Sequence, residues 1–202
     1  MKERIRNIVF DMGNVLLDYN PRQVVERFCA DEEEQELILR ELFHAPEWLM
    51  ADRGLIRDRD RYDLIAPRVA PEHREALKNC CFRWDFCMQP LPGARAFVDA
   101  CRRSGYRTYI LSNASDLFFT YFNNFGPLSD FDGAVVSCQE KLLKPEPELY
   151  QRLLERYGLR PEECFFIDDR EDNVEAARSL GMEGYVFRDD YPALTALLGL
   201  EE

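Results

Sequence analysis

The sequence predicts an α/β fold, in which helices cover both faces of a mostly parallel sheet and a helical segment is inserted after the first strand. Two short apolar runs, Ile8–Phe10 and Cys164–Ile167, each end at an acidic residue, as expected for buried strands of a parallel sheet. From Gly93 onward, strand and helix patterns alternate, which is typical of βαβ units. The stretch from Pro21 to Arg83 contains no convincing strand and is therefore the predicted insertion.

Five helices are predicted in the inserted segment. Pro21 and Pro71 suit the first turn of a helix, where the missing N–H costs no hydrogen bond. The predicted helices are Pro21–Phe28, Glu32–Phe43, Pro46–Ala51, Asp58–Ala66 and Pro71–Phe82. We expect a helical cap domain at residues 18–87 and an α/β core domain at residues 1–17 and 88–202, with the cap above the carboxyl ends of the strands.

The remaining elements belong to the core domain. Gly105, Gly158 and Gly181 follow apolar-periodic stretches and favour helix ends there. The predicted strands are Thr108–Leu111, Ala134–Val136, Cys164–Ile167 and Gly184–Phe187. The predicted helices are Gly93–Arg103, Asp116–Asn123, Glu146–Tyr157, Arg170–Leu180 and Pro192–Leu198.

Composition limits the function classes that fit this chain. The 202 residues carry a formal net charge of −12, which argues against nucleic acid as a partner because phosphate backbones are bound by basic surfaces. No apolar run approaches the length of a membrane span, and the charged segment at residues 1–6 leads directly into the first strand without a signal peptide. We expect a cytoplasmic protein, monomeric or homodimeric, whose seven cysteines are mostly buried reduced thiols.

Polar side chains follow each of the first four predicted strands. Asp11 follows the first strand, Ser112 and Asn113 the second, Lys144 comes after the third, and the pair 168–169 (Asp-Asp) follows the fourth. Because the carboxyl ends of parallel strands form the ligand-binding edge of such sheets, we expect these groups to lie close together. A nucleophile, hydrogen-bond donors and a cation are the parts that phosphoryl transfer to a carboxylate requires.

The acidic groups also predict a metal site. If the first and fourth strands are neighbours, at least three carboxylates converge in a small volume, and their mutual repulsion calls for a cation between them. A site made of oxygen ligands favours Mg²⁺.

Four segments resemble the motifs of the haloacid dehalogenase superfamily and occur in the same order. They are Phe-Asp-Met-Gly-Asn-Val at 10–15, Leu-Ser-Asn at 111–113, Lys-Pro at 144–145 and Phe-Ile-Asp-Asp at 166–169. The resemblance covers nearly the whole chain and implies a Rossmann-like core with a C1-type cap. The Asp-x-Gly-Asn-Val form of the first motif is most similar to the branch of bacterial sugar-phosphate phosphatases of the α-glucose-1-phosphatase type.

The resemblance implies a role for each residue near the phosphate. Asp11 would be the nucleophile that forms an aspartyl-phosphate. Ser112 would donate its hydroxyl to the phosphoryl group, with Asn113 beside it. Lys144 would bridge Asp11 and the phosphate and reduce the repulsion between the two anions.

The resemblance also implies the metal ligands. Asp168 and Asp169 would hold Mg²⁺, with the Asp11 carboxylate and the Gly13 carbonyl oxygen as further ligands. Asp172 would not contact the metal itself but would orient one of its ligands or a water.

Gly13 departs from the usual phosphatase pattern. Phosphatases of the superfamily commonly carry a second Asp at this position, two residues after the nucleophile, where it protonates the leaving oxygen. Glycine has no side chain for this task, and Asp18 and carboxylates of the cap, such as Asp52, are candidates to replace it.

The predicted function is a magnesium-dependent phosphatase that acts on a small phosphorylated metabolite, with a sugar phosphate favoured. The first alternative is a non-catalytic regulator that keeps the fold without the acid at position 13. The second is a metal-independent haloacid dehalogenase, in which the Asp168–Asp169 pair would have no role.

Overall fold

The sheet at the centre of the protein has five parallel strands. In this computed structural model, which describes residues 4–200, the strands are β1 (Asn7–Phe10), β2 (Arg107–Ser112), β3 (Gly133–Val136), β4 (Cys164–Asp168) and β5 (Glu183–Val186). Their order across the sheet is β3-β2-β1-β4-β5. The predicted first and last residues of the core, 1–3 and 201–202, lie outside the described residues. The central strand β1 therefore has both motif-bearing strands, β2 and β4, as its neighbours.

Helices cover both faces of this sheet, as the alternating pattern predicts. The core helices are α6 (Ala94–Arg103), α7 (Phe118–Tyr121), α8 (Ser137–Glu140), α9 (Pro147–Tyr157), α10 (Glu171–Ser179) and α11 (Tyr191–Leu198). Adjacent residues of β1 point to opposite faces: Ile8 and Phe10 pack in one apolar cluster with side chains of α6 and α11. Val9 packs in a second cluster with side chains of α9 and α10.

The inserted segment is helical. It contains α1 (Pro21–Phe28), α2 (Glu32–Ile38), α3 (Pro46–Asp52), α4 (Arg61–Ile65) and α5 (Arg74–Arg83). The predicted helix over 32–43 is α-helical only to Ile38 and then continues as a π-helical turn, Leu39–Phe43. The predicted helix over 58–66 begins as a 3₁₀ turn, Asp58–Asp60, before α4. The predicted helix over 71–82 likewise opens with a 3₁₀ turn, Pro71–His73, before α5.

The two connections between insertion and core run side by side. The N–H of Leu91 donates to the Leu16 carbonyl at 2.9 Å, and the N–H of Asp18 donates to the Gln89 carbonyl at 2.8 Å. These contacts lie next to the expected domain boundaries at 17/18 and 87/88, which remain a prediction.

Two other sequence expectations concern the membrane and the cysteines. Across residues 4–200, none of the helices combines the length and the apolar character that crossing a membrane requires. All seven cysteines are free thiols, and six of them are buried, with Cys29 half-buried.

Candidate active site

The pairing of β1 with β4 brings the first and last motifs together. Phe10 is in register with Ile167, and the N–H of Asp11 donates to the Ile167 carbonyl at 2.8 Å. Asp11 thus lies beside Asp168 at the carboxyl edge of the sheet. Oxygen atoms of Asp11, Asp168 and Asp169 all lie within 4.8 Å of one another. The three carboxylates that the sequence assigns to a metal site therefore form one cluster.

Lys144 is the cation within this cluster. Its Nζ lies 2.7 Å from Oδ1 of Asp11 and 2.6 Å from Oδ2 of Asp168, and the side chain is buried. Burial lowers the pKa of Lys144, but Asp11 and Asp168 together outweigh that effect and raise it, so the amine stays charged. Burial raises the pKa of Asp11 to about 7, and the neighbouring carboxylates of Asp168 and Asp169 add to this rise, whereas Lys144 opposes it and favours the ionised form that a nucleophile requires.

The donor set fits a divalent cation. Three carboxylates and one ammonium leave a formal charge of −2 in a largely buried volume, because Asp168 and Lys144 are almost fully buried and Asp11 is only 8% exposed. Uncompensated charge of this kind is costly away from water. Oxygen ligands with this charge are what Mg²⁺ prefers, so the residues present fit the predicted metal.

Asn173 rather than Asp172 supports the acidic pair. The Asn173 amide donates to both oxygens of Asp168, at 3.0 and 3.1 Å. The Asp172 carboxylate instead pairs with the exposed Arg170 at 2.7 Å. The difference follows from helix geometry: Asn173 shares the buried face of α10 with Val174 and Ala177, whereas Asp172 lies on the exposed face. The apolar spacing of that helix is the sequence signal that identifies Asn173.

Asn14 is a second residue of the site for which the motifs predict no role. Its amide donates to Oδ2 of Asp169 at 3.2 Å, and its Oδ1 accepts from the Tyr19 N–H at 3.0 Å. Asn14 has a positive φ of 55°, a conformation that asparagine tolerates better than most residues. It links the loop after β1 to the acidic pair after β4.

The second motif contributes a hydroxyl and a structural amide. Ser112 is fully buried, and its Oγ has no hydrogen-bond partner among residues 4–200, which leaves a donor for a ligand at the carboxyl end of β2. The Asn113 side chain both accepts from the Lys144 N–H at 2.8 Å and donates to the Lys144 carbonyl at 3.0 Å. This side chain therefore positions Lys144, and only the main chain of Asn113 is free to take the predicted phosphate-binding role.

A cavity of about 610 Å³ separates these residues from the cap. Its lower surface includes Asp11, Gly13, Asn14, Asn113, Lys144 and Asp169. The surface formed by the cap is mostly aromatic and carries one acidic residue: Tyr19, Trp48, Leu49, Asp52 and Trp84. Tyr121 of the core helix α7 also lines the cavity and packs against Trp84. The arrangement suits an anionic group at the bottom and an organic group between aromatic walls.

Two arginines of the cap, Arg53 and Arg61, are held in ion pairs with acidic side chains. Arg61 is buried, forms an ion pair with Asp58, and stacks over Trp48 with 3.8 Å between its Cζ and the ring centroid. Arg53 pairs with Glu146 of the core, with Nη1 3.2 Å from Oε2. Arg61 therefore stabilises the cap, and Arg53 connects the cap to the core.

Comparison with known proteins identifies the family. Residues 5–181 match the model of the haloacid dehalogenase-like hydrolases. A sesquiterpene phosphatase of Aspergillus oryzae is 26% identical over 183 residues, which cover 90% of this chain and 89% of the relative. A fructose-1-phosphate phosphatase of Escherichia coli K12 is 26% identical over 192 residues, which cover 91% of this chain and 96% of the relative.

A solved structure has the same fold. An enzyme of the haloacid dehalogenase family from Bacteroides thetaiotaomicron, in complex with magnesium and inorganic phosphate, matches with a TM-score of 0.72 and 24% identity. The match covers 94% of this chain and 98% of that one. With a family model that spans most of its length, the chain belongs to the haloacid dehalogenase-like hydrolases.

Proposed function

We propose that this hydrolase is a magnesium-dependent phosphatase that acts on a small phosphorylated metabolite through an aspartyl-phosphate on Asp11. The observation that carries the proposal is the position of Asp11, which contacts Lys144 and lies within the acidic cluster at the bottom of a cavity. The phosphatases among the relatives support the same reaction class.

The chemistry proceeds in two displacements. An ionised oxygen of Asp11 attacks the phosphorus, the bond from phosphorus to the ester oxygen breaks, and that oxygen takes a proton as the alcohol leaves. A water then attacks the phosphorus of the aspartyl-phosphate, which releases inorganic phosphate and restores Asp11. Throughout, Lys144 offsets negative charge at 2.7 Å from the nucleophile, and the free hydroxyl of Ser112 donates to a phosphoryl oxygen.

Magnesium would be held by the carboxylates of Asp11, Asp168 and Asp169 and by the Gly13 carbonyl. A bound Mg²⁺ offsets charge on the phosphoryl oxygens and fixes their orientation. Asn173 and Asn14 hold the carboxylates of Asp168 and Asp169 in place through the hydrogen bonds described above.

The cavity favours a substrate with one phosphate and an uncharged body. Aromatic residues dominate the cap side, and the nearby Arg61 is already neutralised by Asp58, so Arg61 is not free to bind a second anionic group. A sugar ring offers apolar C–H faces to aromatic side chains and hydroxyl groups to Asp52. We therefore propose a sugar phosphate as the first substrate class to examine, with other neutral organic monophosphates next.

Glycine at position 13 favours a second candidate function, that of a regulator that binds Mg²⁺ and phosphate without turnover. The absent side chain at this position is the specific observation in its favour. A metal-independent dehalogenase is less consistent with the site, because the Asp168–Asp169 pair would then hold uncompensated charge.

The test is phosphate release from a panel of sugar phosphates and other monophosphates, with and without Mg²⁺. The Asp11→Asn variant serves as the matched control because it keeps the shape of the side chain and removes the nucleophile. Release that requires Mg²⁺ and is lost in the variant supports the proposal. Full activity in Asp11→Asn would contradict the mechanism, and binding of Mg²⁺ without any turnover would favour the regulator.

A further inference from the structure

The first displacement needs a proton for the leaving oxygen, and the first motif supplies none because position 13 is glycine. Resting on the proposed phosphatase function, we propose that Asp52, the last residue of α3 in the cap, is the general acid and base of this active site. The proton donor is thereby supplied by the cap rather than by the loop after β1.

The first support is the position of Asp52. It lines the same cavity as Asp11 and Lys144 but belongs to the cap, whose aromatic residues would contact the organic part of a substrate. Among residues 4–200 its carboxylate forms no ion pair within 4 Å, unlike Asp58, which pairs with Arg61. A carboxyl group that faces a ligand cavity without a charged partner is available for proton transfer.

The second support is the way the core holds this end of α3. The Ser137 hydroxyl donates to the Asp52 carbonyl at 2.5 Å and accepts from the Ala114 N–H at 2.9 Å, so the same hydroxyl contacts the cap and the segment after Ser112. Arg53 pairs with Glu146, two residues after Lys144. The cap segment is thus attached to both loops that carry phosphate-binding residues.

Gly54 completes this attachment. It has a φ of +68°, and a Cβ there would overlap the carbonyl oxygen of Cys138, so only glycine allows so close an approach between cap and core. Lys141 donates to the Gly54 carbonyl from the same side. These contacts attach the end of α3 to the core. They therefore fix the position of Asp52 relative to the nucleophile.

The surroundings of Asp52 allow both the protonated and the ionised form near neutral pH, as a general acid and base requires. Burial raises the pKa of Asp52 to about 7, with Arg61 lowering it and Asp58 raising it, while the Ser115 N–H lowers it by hydrogen bonding. The other titratable groups that face it are Tyr19, Tyr121 and Cys138. Burial raises the pKa of each of these three, so they stay neutral and hold their protons more tightly than Asp52 does.

The alternative carboxylate, Asp18, lies outside the cavity. It accepts a hydrogen bond from the exposed Gln23 side chain at 3.0 Å. Asp18 is therefore not placed to protonate a substrate held between Asp11 and the cap.

The proton balance is complete with Asp52 alone. As the bond from phosphorus to the ester oxygen breaks, the electron pair stays on that oxygen, which takes the Asp52 proton and leaves as the alcohol. The ionised Asp52 then takes a proton from the water that attacks the aspartyl-phosphate. Asp52 is thereby protonated again for the next cycle.

The test compares two leaving groups in Asp52→Asn. An alkyl phosphate, such as a sugar phosphate that the wild type hydrolyses, needs the acid, whereas p-nitrophenolate leaves without a proton. We expect kcat/KM for the alkyl phosphate to fall by about 10²–10⁴-fold. For p-nitrophenyl phosphate we expect kcat/KM close to that of the wild type, with a lower kcat and an initial burst of p-nitrophenolate because the second step is slowed.

The pH profile provides a further readout. A general acid acts while protonated, so wild-type kcat/KM for the alkyl phosphate should fall as the pH rises through about 7, and this decline should vanish in Asp52→Asn. Asp18→Asn is the matched control and should behave as the wild type.

Three outcomes would overturn the assignment. The first is an equal loss of kcat/KM on both substrates in Asp52→Asn, and the second is no loss of kcat/KM on either substrate. The third is a decline of kcat/KM with rising pH that is the same in Asp52→Asn as in the wild type. Failure of the proposed function itself is distinguishable, because it would appear as full activity in Asp11→Asn or as an absence of turnover in the wild type.

Discussion

At the scale of single residues, Gly13 and Asp52 define what is unusual in this active site. Position 13 lies on the cavity surface two residues after the nucleophile, where the superfamily's phosphatases commonly carry their acid. Its φ is not positive, and a Cβ built there would meet only the Tyr19 Cβ at 3.7 Å, an ordinary contact. Nothing in the surrounding structure prevents a side chain at this position.

Gly13→Asp should therefore restore an acid to a site that has lost one. In the Asp52→Asn background, we expect Gly13→Asp to raise kcat/KM for alkyl phosphates at least about tenfold, within the range that general acid catalysis provides. Gly13→Asn in the same background is the control, since it has the same shape and donates no catalytic proton. Equal rates with the two substitutions would show that proton donation does not limit the reaction.

Residue identity alone could predict only part of this site. Asp11, Lys144 and the Asp168–Asp169 pair converge because each follows a strand of one parallel sheet. The roles of Asn173 and Asp172 depend on which way each side chain leaves α10, a direction that the motif does not specify.

At the scale of elements, the end of α3 connects the cap to the core. Ser137 at the start of α8 bonds both to the Asp52 carbonyl and to the Ala114 N–H. The sequence places Ser137 only at the end of a strand, because its contacts involve segments 85 and 23 residues away. Such long-range contacts depend on tertiary packing and leave no local pattern.

Removal of this hydroxyl should affect stability and catalysis together. For Ser137→Ala we expect a loss of about 1–3 kcal/mol in the free energy of unfolding, because the Asp52 carbonyl and the buried Ala114 N–H lose their partner. We also expect a larger fall in kcat/KM for alkyl phosphates than for p-nitrophenyl phosphate, as Asp52 becomes less firmly held.

The control for this substitution is Ser179→Ala. Ser179 is exposed at the end of α10, and its hydroxyl donates only to the Ala176 carbonyl of the same helix, so both properties should remain close to those of the wild type. An unchanged unfolding free energy in Ser137→Ala, measured by denaturant titration, would contradict the structural role.

At the scale of the whole molecule, the strand order produces the acidic cluster. With β1 between β2 and β4, one edge of the sheet receives Asp11, Ser112 and Asp168. The apolar runs predict the strands themselves, and most clearly β1 and β4, in which every residue is buried. They do not specify that β1 lies between β2 and β4, because that position depends on pairing of Asn7 with Arg107 and with Cys164, far away in the sequence.

The same cluster predicts that Mg²⁺ stabilises the folded protein. A cation that binds only the folded state should add about 2.7 kcal/mol at a concentration of 100 times its Kd, with a corresponding rise in Tm. Asp169→Asn should reduce this rise, because it removes one of the three carboxylates.

Asp172→Asn is the matched control for the metal measurement. Its carboxylate pairs with Arg170 at the surface, so the stabilisation by Mg²⁺ should be close to that of the wild type. A loss of the Mg²⁺ effect in Asp172→Asn, with retention in Asp169→Asn, would contradict the proposed ligands.

Direct detection of phosphorylated Asp11 tests the central claim most closely. Wild-type enzyme mixed with a substrate and Mg²⁺ is stopped rapidly with acid, digested, and examined by mass spectrometry for a phosphoryl group on the peptide that contains Asp11. We expect the modification on Asp11 in the wild type and its absence in Asp11→Asn. Two results would contradict the mechanism. One is turnover with no phosphoryl group on Asp11 in samples stopped during the first turnovers, and the other is a phosphoryl group on a different residue.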